Sequence, residues 1–231
     1  METIWLRVRA PFAAFRGFQA GVYRGTSPVM PPSAAYGLIL NLAGIEMRGP
    51  MTGPTTEIRS GLPRLRIAVG VLSDPEQSSI YQQLHSYPVG NSGTEFGART
   101  HGSKFWITPV RRELLVNYNG IIGVEIAASG LWERLRQALR GEIDGPRYGL
   151  PFAGDNNLLI DQIDVVAQPP STTRWYTLIQ PDDSPNKGSC RLTVGINRMD
   201  NSRTTSFLYA PLTDGAKQPP ETAWTWVPAV S

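Results

Sequence analysis

Period-two alternation of apolar and basic residues is the feature that most limits this chain. Residues 3–10 put Ile4, Leu6, Val8 and Ala10 on one face and Trp5, Arg7 and Arg9 on the other. Residues 64–72 repeat the design, with Leu65, Ile67, Val69 and Val71 on one side and Arg64 and Arg66 opposite. A period of two describes a strand with one buried face. Glycine (23) and proline (20) make up close to a fifth of the 231 residues. That density excludes a helical bundle and requires many turns.

Two helices interrupt the strands. Ser33 follows Pro31 and Pro32 and is expected to cap a helix over Ala34–Ala43, apolar all round and therefore buried, with Gly44 as its stop. Ser129 is expected to cap a second helix through Arg140, striped by Leu131, Trp132, Leu135 and Leu139 and ended by Gly141. Between them, residues 73–104 read as a polar insertion with a hairpin plan. Gln77–Tyr87 alternates, with Tyr81, Gln83, His85 and Tyr87 on one face; residues 90–93 turn; residues 94–108 return, carrying Phe96, Arg99, His101 and Lys104. Val110–Asn119 is a core strand that 121–127 continues or follows, and Leu158–Val166 is a further strand. Beyond residue 169 come short strands near 175–179, 191–196 and 206–209, without a helix. Trp224, Trp226 and Val227 form either a partner surface or a closing core strand.

The order through residue 166 is strand, helix, strand, insertion, strand, helix, strand. That is the ferredoxin-like pattern, shared with RNA-recognition domains. The expected fold class is therefore α+β: a ferredoxin-like (RNA-recognition-motif-like) core over 1–166, with a long hairpin insertion at 73–108 and a β-rich C-terminal extension over 167–231.

Several function classes drop out. The longest apolar run, residues 36–45, contains an asparagine and is far shorter than the ~20 residues a membrane helix needs. No apolar segment precedes the first arginine, so no secretory signal is visible. The single Cys190 excludes an internal disulfide and any multi-cysteine zinc site. A reducing, cytoplasmic setting is the expectation, with neither metal nor cofactor. No phosphate loop, dinucleotide fingerprint or hydrolase motif stands in its required context. Asp155, Asp161 and Asp164 read as turn and strand-end carboxylates.

The basic residues carry the positive signal. Net charge is only +3, but of 22 basic residues three are lysines (Lys104, Lys187 and Lys217) and 19 are arginines. Arginine suits planar, bidentate phosphate contacts and stacking on bases, although genomic base composition also raises its share. An arginine-faced sheet either receives a nucleic-acid backbone or is an ordinary solvated face. Arg16 and Arg24 lie in the loop before the first helix, whose N-terminus favours phosphate. Tyr81, His85 and Tyr87 can stack on unpaired bases or cover an apolar patch. Gly145, Gly149 and Gly154, beside Arg147 and Tyr148, let a backbone approach closely or make a tight helix-to-strand connection. His101 and Lys104 can bind phosphate, or can cleave RNA by metal-independent acid–base chemistry.

Three segments resemble one family. VMPPSAAYGLILNLAGIE (29–46) resembles the Pro-Pro-Ser-Ala helix start of the CRISPR-associated protein 5 family. PRYGLPFAGDNNLLIDQI (146–163) is similar to its glycine-rich loop and following strand. The insertion and FWITPVRRELLVNYN (105–119) sit where that family carries its thumb and the next strand. The resemblance implies a subunit of a type I effector complex (Cascade) with a ferredoxin-like core. Such a subunit grips the 5′ handle of the CRISPR RNA, caps the backbone-subunit filament and contacts the large subunit, taking part in DNA targeting through the complex. It places Ser33, Tyr148, Gly149 and Gly154 on family motifs, and RYGLPFAGDNN is similar to type I-B variants, including transposon-associated ones. One branch cleaves precursor RNA with a tyrosine, a lysine and a histidine. Here Gly102 and Ser103 separate His101 from Lys104, and Tyr36 lies on the buried helix, so a non-catalytic subunit is expected.

Overall fold

A computed structural model describes residues 2–17, 22–50, 56–86, 106–126, 129–143, 145, 149–180, 182–183 and 186–228. Among these residues the frame is one mostly antiparallel sheet with two α-helices against it, an α+β fold. The elements are β1 (Glu2–Ala13), β2 (Tyr23–Arg24), α1 (Pro32–Leu42), β3 (Leu65–Val71), β4 (Glu76–Ser86), β5 (Trp106–Ile126), α2 (Ser129–Leu139), β6 (Gln162–Val166), β7 (Arg174–Leu178), β8 (Cys190–Gly195), β9 (Thr205–Pro211) and β10 (Thr225–Val227). The main path across the sheet is β6-β1-β5-β3-β7-β9-β8, with β10 on β3 and both β2 and β4 on β5.

The period-two pattern is obeyed on the core side. Ile4, Leu6 and Val8 of β1 are buried with Leu65, Ile67, Val69 and Val71 of β3 and with Ile122 and Val124 of β5. Helix α1 closes this layer with Ala35, Leu38, Ile39, Leu40 and Leu42, and α2 adds Leu131 and Leu135. Burying one such aliphatic side chain is worth about 1.5–3 kcal/mol, so this cluster dominates the stability.

The helix stops follow their signals, but neither serine is a cap: α2 begins at Ser129 itself, which therefore lies inside its first turn. Gly44 and Gly141 each close a helix by a pair of backbone bonds: Gly44 N–H to Asn41 O (3.0 Å) with Ile45 N–H to Leu40 O (2.8 Å), and Gly141 N–H to Ala138 O (3.1 Å) with Glu142 N–H to Gln137 O (2.8 Å). Ser33, however, is not the cap of α1. The helix starts at Pro32, Pro31 occupies the cap position, and no side chain bonds there. Proline fits the first helical position because its missing N–H is not needed and its φ is already helical. That places Ser33 inside the first turn.

The arginine-bearing side of the sheet differs from the open basic face expected. A second apolar cluster of Trp5, Ala68, Ile121, Trp175 and Ala223, with Trp224 packed on it, covers much of it. Trp5 lies 5.7 Å from Trp175 and 6.0 Å from Trp224, centroid to centroid. Gly123 makes this possible, since a Cβ there would run into the Trp5 ring. Three arginines of this side have polar protein partners, while Arg64 is exposed and lies 5.2 Å from the Trp226 ring centroid. Arg7 Nε donates to Asn119 (3.0 Å), Arg9 pairs with Asp164 (3.7 Å), and Arg66 pairs with Glu125 (2.9 Å) and Glu221. Trp5 was the one apolar residue among the outward positions of its strand, and it marked the second layer.

The later strands extend the same sheet: β7 joins β3 through Gly70–Trp175 and Val71–Arg174. Tyr176, Leu192, Val194 and Tyr209 enter the main core. Strand β10 is a closing strand, with Val227 in the core while Trp226 stays 39% exposed. Strand β6 begins at Gln162 rather than 158, because residues 151–160 first fold on themselves through a Phe152–Leu159 bridge. Among the described residues no helix is long and apolar enough to cross a membrane.

Candidate nucleic-acid interface

Strand β5 is 21 residues long and changes partners along its length. Its second half lies between β1 and β3; its first half, 106–116, pairs with β4 in continuous antiparallel register from Glu76–Val116 to Ser86–Trp106. The β4–β5 ribbon therefore extends beyond the central strands. Asn117, at φ 55°, marks the change of partners. Asparagine tolerates this left-handed conformation better than most residues.

The root of the ribbon has two unlike faces. On one, Val110, Arg112 and Leu114 are buried. On the other, Tyr81 of β4, Arg111 of β5 and Tyr23 of β2 stand in one row across three strands. Tyr81 is 79% exposed and Tyr23 46%. The Arg111 guanidinium lies 5.9 Å from the Tyr23 ring centroid and its Nε donates to Ser79 Oγ at 3.3 Å. Glu113 fixes the adjoining loop: it accepts from Tyr23 OH and from Thr26 N–H (3.0 Å). Donation to this carboxylate pushes the Tyr23 phenol above its ordinary range, so it stays a neutral donor. Two exposed phenol rings flanking a guanidinium can stack on bases and bind a phosphate.

Behind this row, Asp155 accepts hydrogen bonds from both Arg16 and Arg112, while its other oxygen accepts Asn157 N–H at 3.1 Å. Gly154 brings Asp155 here. It holds φ +83°, and a Cβ would strike the Ala14 carbonyl, which belongs to the segment leading into Arg16. The glycine-rich loop thus uses Gly154 to pack on its own chain, with Ala14 N–H bonded to Ala153 O at 3.0 Å. Asp155 is the turn carboxylate expected, but a buried one with two arginine partners.

The sequence-predicted residues distribute as follows. Arg16, Arg24 and Tyr81 gather at the ribbon root, Arg24 being half-buried in β2 opposite Arg112. Ser33 lies in the first turn of α1, whereas the exposed Gly149 has its carbonyl bonded by Asn41 Nδ2 (3.2 Å) near the other end of that helix. The eight residues from 33 to 41 span about 12 Å of helix, so these two are not one site. His85 stands in β4 opposite Ile107. Its side chain, and Tyr87, Arg99, His101, Lys104, Arg147 and Tyr148 entirely, lie outside the described residues. Among the described residues no cluster of metal-ligating side chains occurs. Sequence reasoning missed Tyr23 and Arg111. The Arg111–Arg112 pair inside a strand was the available signal, because neighbours in a strand face opposite ways.

A family profile described as CRISPR-associated protein (Cas_Cas5) matches residues 3–141, which hold β1 through α2. Among solved structures, one titled "CRISPR RNA-guided surveillance complex" is similar over 93% of this chain and 91% of its own, with TM-score 0.59 and 13% identity. Another, "Crystal structure of Cas protein", matches over 94% and 96%, with TM-score 0.54 and 15% identity. At such identities these two establish likeness of fold alone. Comparison with curated proteins gives no significant match. The profile covers more than half of the sequence, from the first strand through the ribbon to the second helix, and the chain belongs to the CRISPR-associated Cas5 family.

Proposed function

We propose that this chain is a non-catalytic subunit of a type I CRISPR effector complex that holds the 5′ handle of the CRISPR RNA. The observation that carries the reading is the exposed Tyr23–Arg111–Tyr81 row at the root of the projecting β4–β5 ribbon, in a chain of this family. Single-stranded RNA offers separated phosphates and unstacked bases, and this row offers a guanidinium between two rings. The strand order β6-β1-β5-β3, with α1 after β1 and α2 after β5, supports a ferredoxin-like core, and the ribbon is the thumb of that core. In this reading the subunit caps the backbone filament and contacts the large subunit, so that it meets target DNA only through the complex.

The test uses labelled CRISPR RNA with and without its handle, titrated with the purified full chain in EDTA and run on native and denaturing gels. Handle-dependent retention of intact RNA is expected. Equal affinity without the handle overturns the handle assignment. A discrete cut at the handle boundary instead makes the chain a metal-independent endoribonuclease, with His101 and Lys104 the first residues to replace.

A further inference from the structure

We infer that Asp155 is a positioning residue for RNA: it aims the guanidinium of Arg16 at a backbone phosphate. The inference rests on the RNA-binding reading above and adds a role for a carboxylate, a group that by charge alone would repel RNA.

Three side chains from distant parts of the chain meet here. Arg112 comes from β5, Arg16 from the segment after β1 and Asp155 from the loop after α2. Asp155 and Arg112 are 5% and 8% exposed at their side chains, whereas Arg16 is 36% exposed. Two guanidiniums against one carboxylate leave one positive charge uncompensated within the trio, and only Arg16 presents its charge to solvent. Asp155 is itself immobilised. Its second oxygen accepts Asn157 N–H, Arg112 also donates to Gln82 (3.2 Å), and Gly154 packs on the Ala14 backbone. The segment carrying Arg16 is closed at its base by Phe15 N–H to Thr26 Oγ1 (2.8 Å) and Ser27 N–H to Phe15 O (2.8 Å).

A guanidinium has five N–H donors in a rigid fork. One nitrogen of Arg16 is used on Asp155, and its remaining donors are held in a fixed orientation at the surface. Ordering a long side chain before binding removes an entropic cost from the binding step. An ammonium, a single compact point of charge, cannot serve the carboxylate and a phosphate in this forked manner.

The experiment measures CRISPR RNA affinity against salt for the full chain and for Asp155→Asn, Arg16→Ala, Arg16→Lys and the Asp155→Asn/Arg16→Ala double variant. Asp155→Asn is expected to weaken binding several-fold and to lower the slope of log K against log salt by about 0.7, the share of one phosphate on a single strand, although the protein has become more positive. Arg16→Ala should match it, and the double variant should be no worse than either. Arg16→Lys should behave like Arg16→Ala, which keeps the test decisive if Asp155→Asn does not fold. Tighter or unchanged binding by a folded Asp155→Asn, or full rescue by lysine, overturns the inference while leaving RNA binding intact. Failure of the parent chain to bind RNA overturns the functional reading itself.

Discussion

Arg66→Ala and Arg111→Ala should separate an arginine that holds the fold from one that faces a ligand. The Arg66 side chain is 17% exposed, as is that of Glu125, its partner at 2.9 Å. It also pairs with Glu221, and its guanidinium lies 5.5 Å from the Trp224 ring centroid. Glu221 is mostly in water, so that pair adds little. Losing the charged hydrogen bond to Glu125 costs about 1.5–3 kcal/mol, and losing the cation–π contact about 0.5–2 kcal/mol. The sum, about 2–5 kcal/mol, lowers the melting midpoint by roughly 4–20 °C in a chain of this size. Arg111 is exposed, and its loss should shift stability by no more than about 0.5 kcal/mol.

RNA binding should respond in the opposite order. Arg111→Ala should lower the salt slope by about 0.7, and Arg66→Ala should leave it unchanged at temperatures where the variant is folded. Thermal melting and salt-dependent RNA titration of the two variants check both halves. A stable Arg66→Ala with a reduced slope would show that the tryptophan-covered side of the sheet receives RNA after all. An unchanged slope for Arg111→Ala would remove the ribbon root from the interface.

Tyr81→Ala should cost about 1–3 kcal/mol of RNA affinity by titration and leave the melting midpoint in place, since the ring is 79% exposed; unchanged affinity would refute stacking there. Gly154→Ala should destabilise by more than the ~1–2 kcal/mol of a left-handed non-glycine residue, because the new methyl meets the Ala14 carbonyl; a melting curve like the parent's would contradict the loop packing. Burial pushes Cys190, Tyr176 and Tyr209 up to about 12. These groups keep protons that the unfolded chain releases above about 9–10, so their stabilisation is complete below that range and lost as pH rises toward 12. Urea midpoints should fall across that window, and the native thiol should resist iodoacetamide at pH 8; rapid native alkylation would refute its burial.

The strand-and-helix order was readable because each element carried a local signal: period two at 3–10 and 64–72, Pro-Pro before α1, and glycines after both helices. What the alternation could not reveal was a second covering layer. The pattern reports that two faces differ, and the face bearing Trp5, Arg7 and Arg9 looks solvated if arginine is taken as a surface residue. Yet Glu125, Asp164 and Glu221 lie on neighbouring segments that only the folded sheet brings alongside. Ser33 shows a different limit. A good capping residue next to two prolines yields to them, because proline at the first helical position fixes where the helix begins.

The candidate site divides along the same line. Tyr81 was recognised because alternation in 77–87 is local, whereas Asp155 was seen only as a turn residue. Its Asn157 bond is two residues away, but its arginines lie 139 and 43 residues off in sequence. A carboxylate this buried must be paired, and a pair formed at such separations is fixed by topology rather than by motif. Arg111 and Arg112 make the consequence concrete. They are adjacent and identical in type, and strand geometry sends one to Asp155 and the other to the exposed row with Tyr23 and Tyr81. An arginine-rich composition therefore signals nucleic acid only through those arginines that keep donors facing solvent, as Arg111 and Arg16 do here. In this chain those two lie at the root of the ribbon, whereas Arg7 and Arg66 on the sheet face are taken up by Asn119, Glu125 and Glu221.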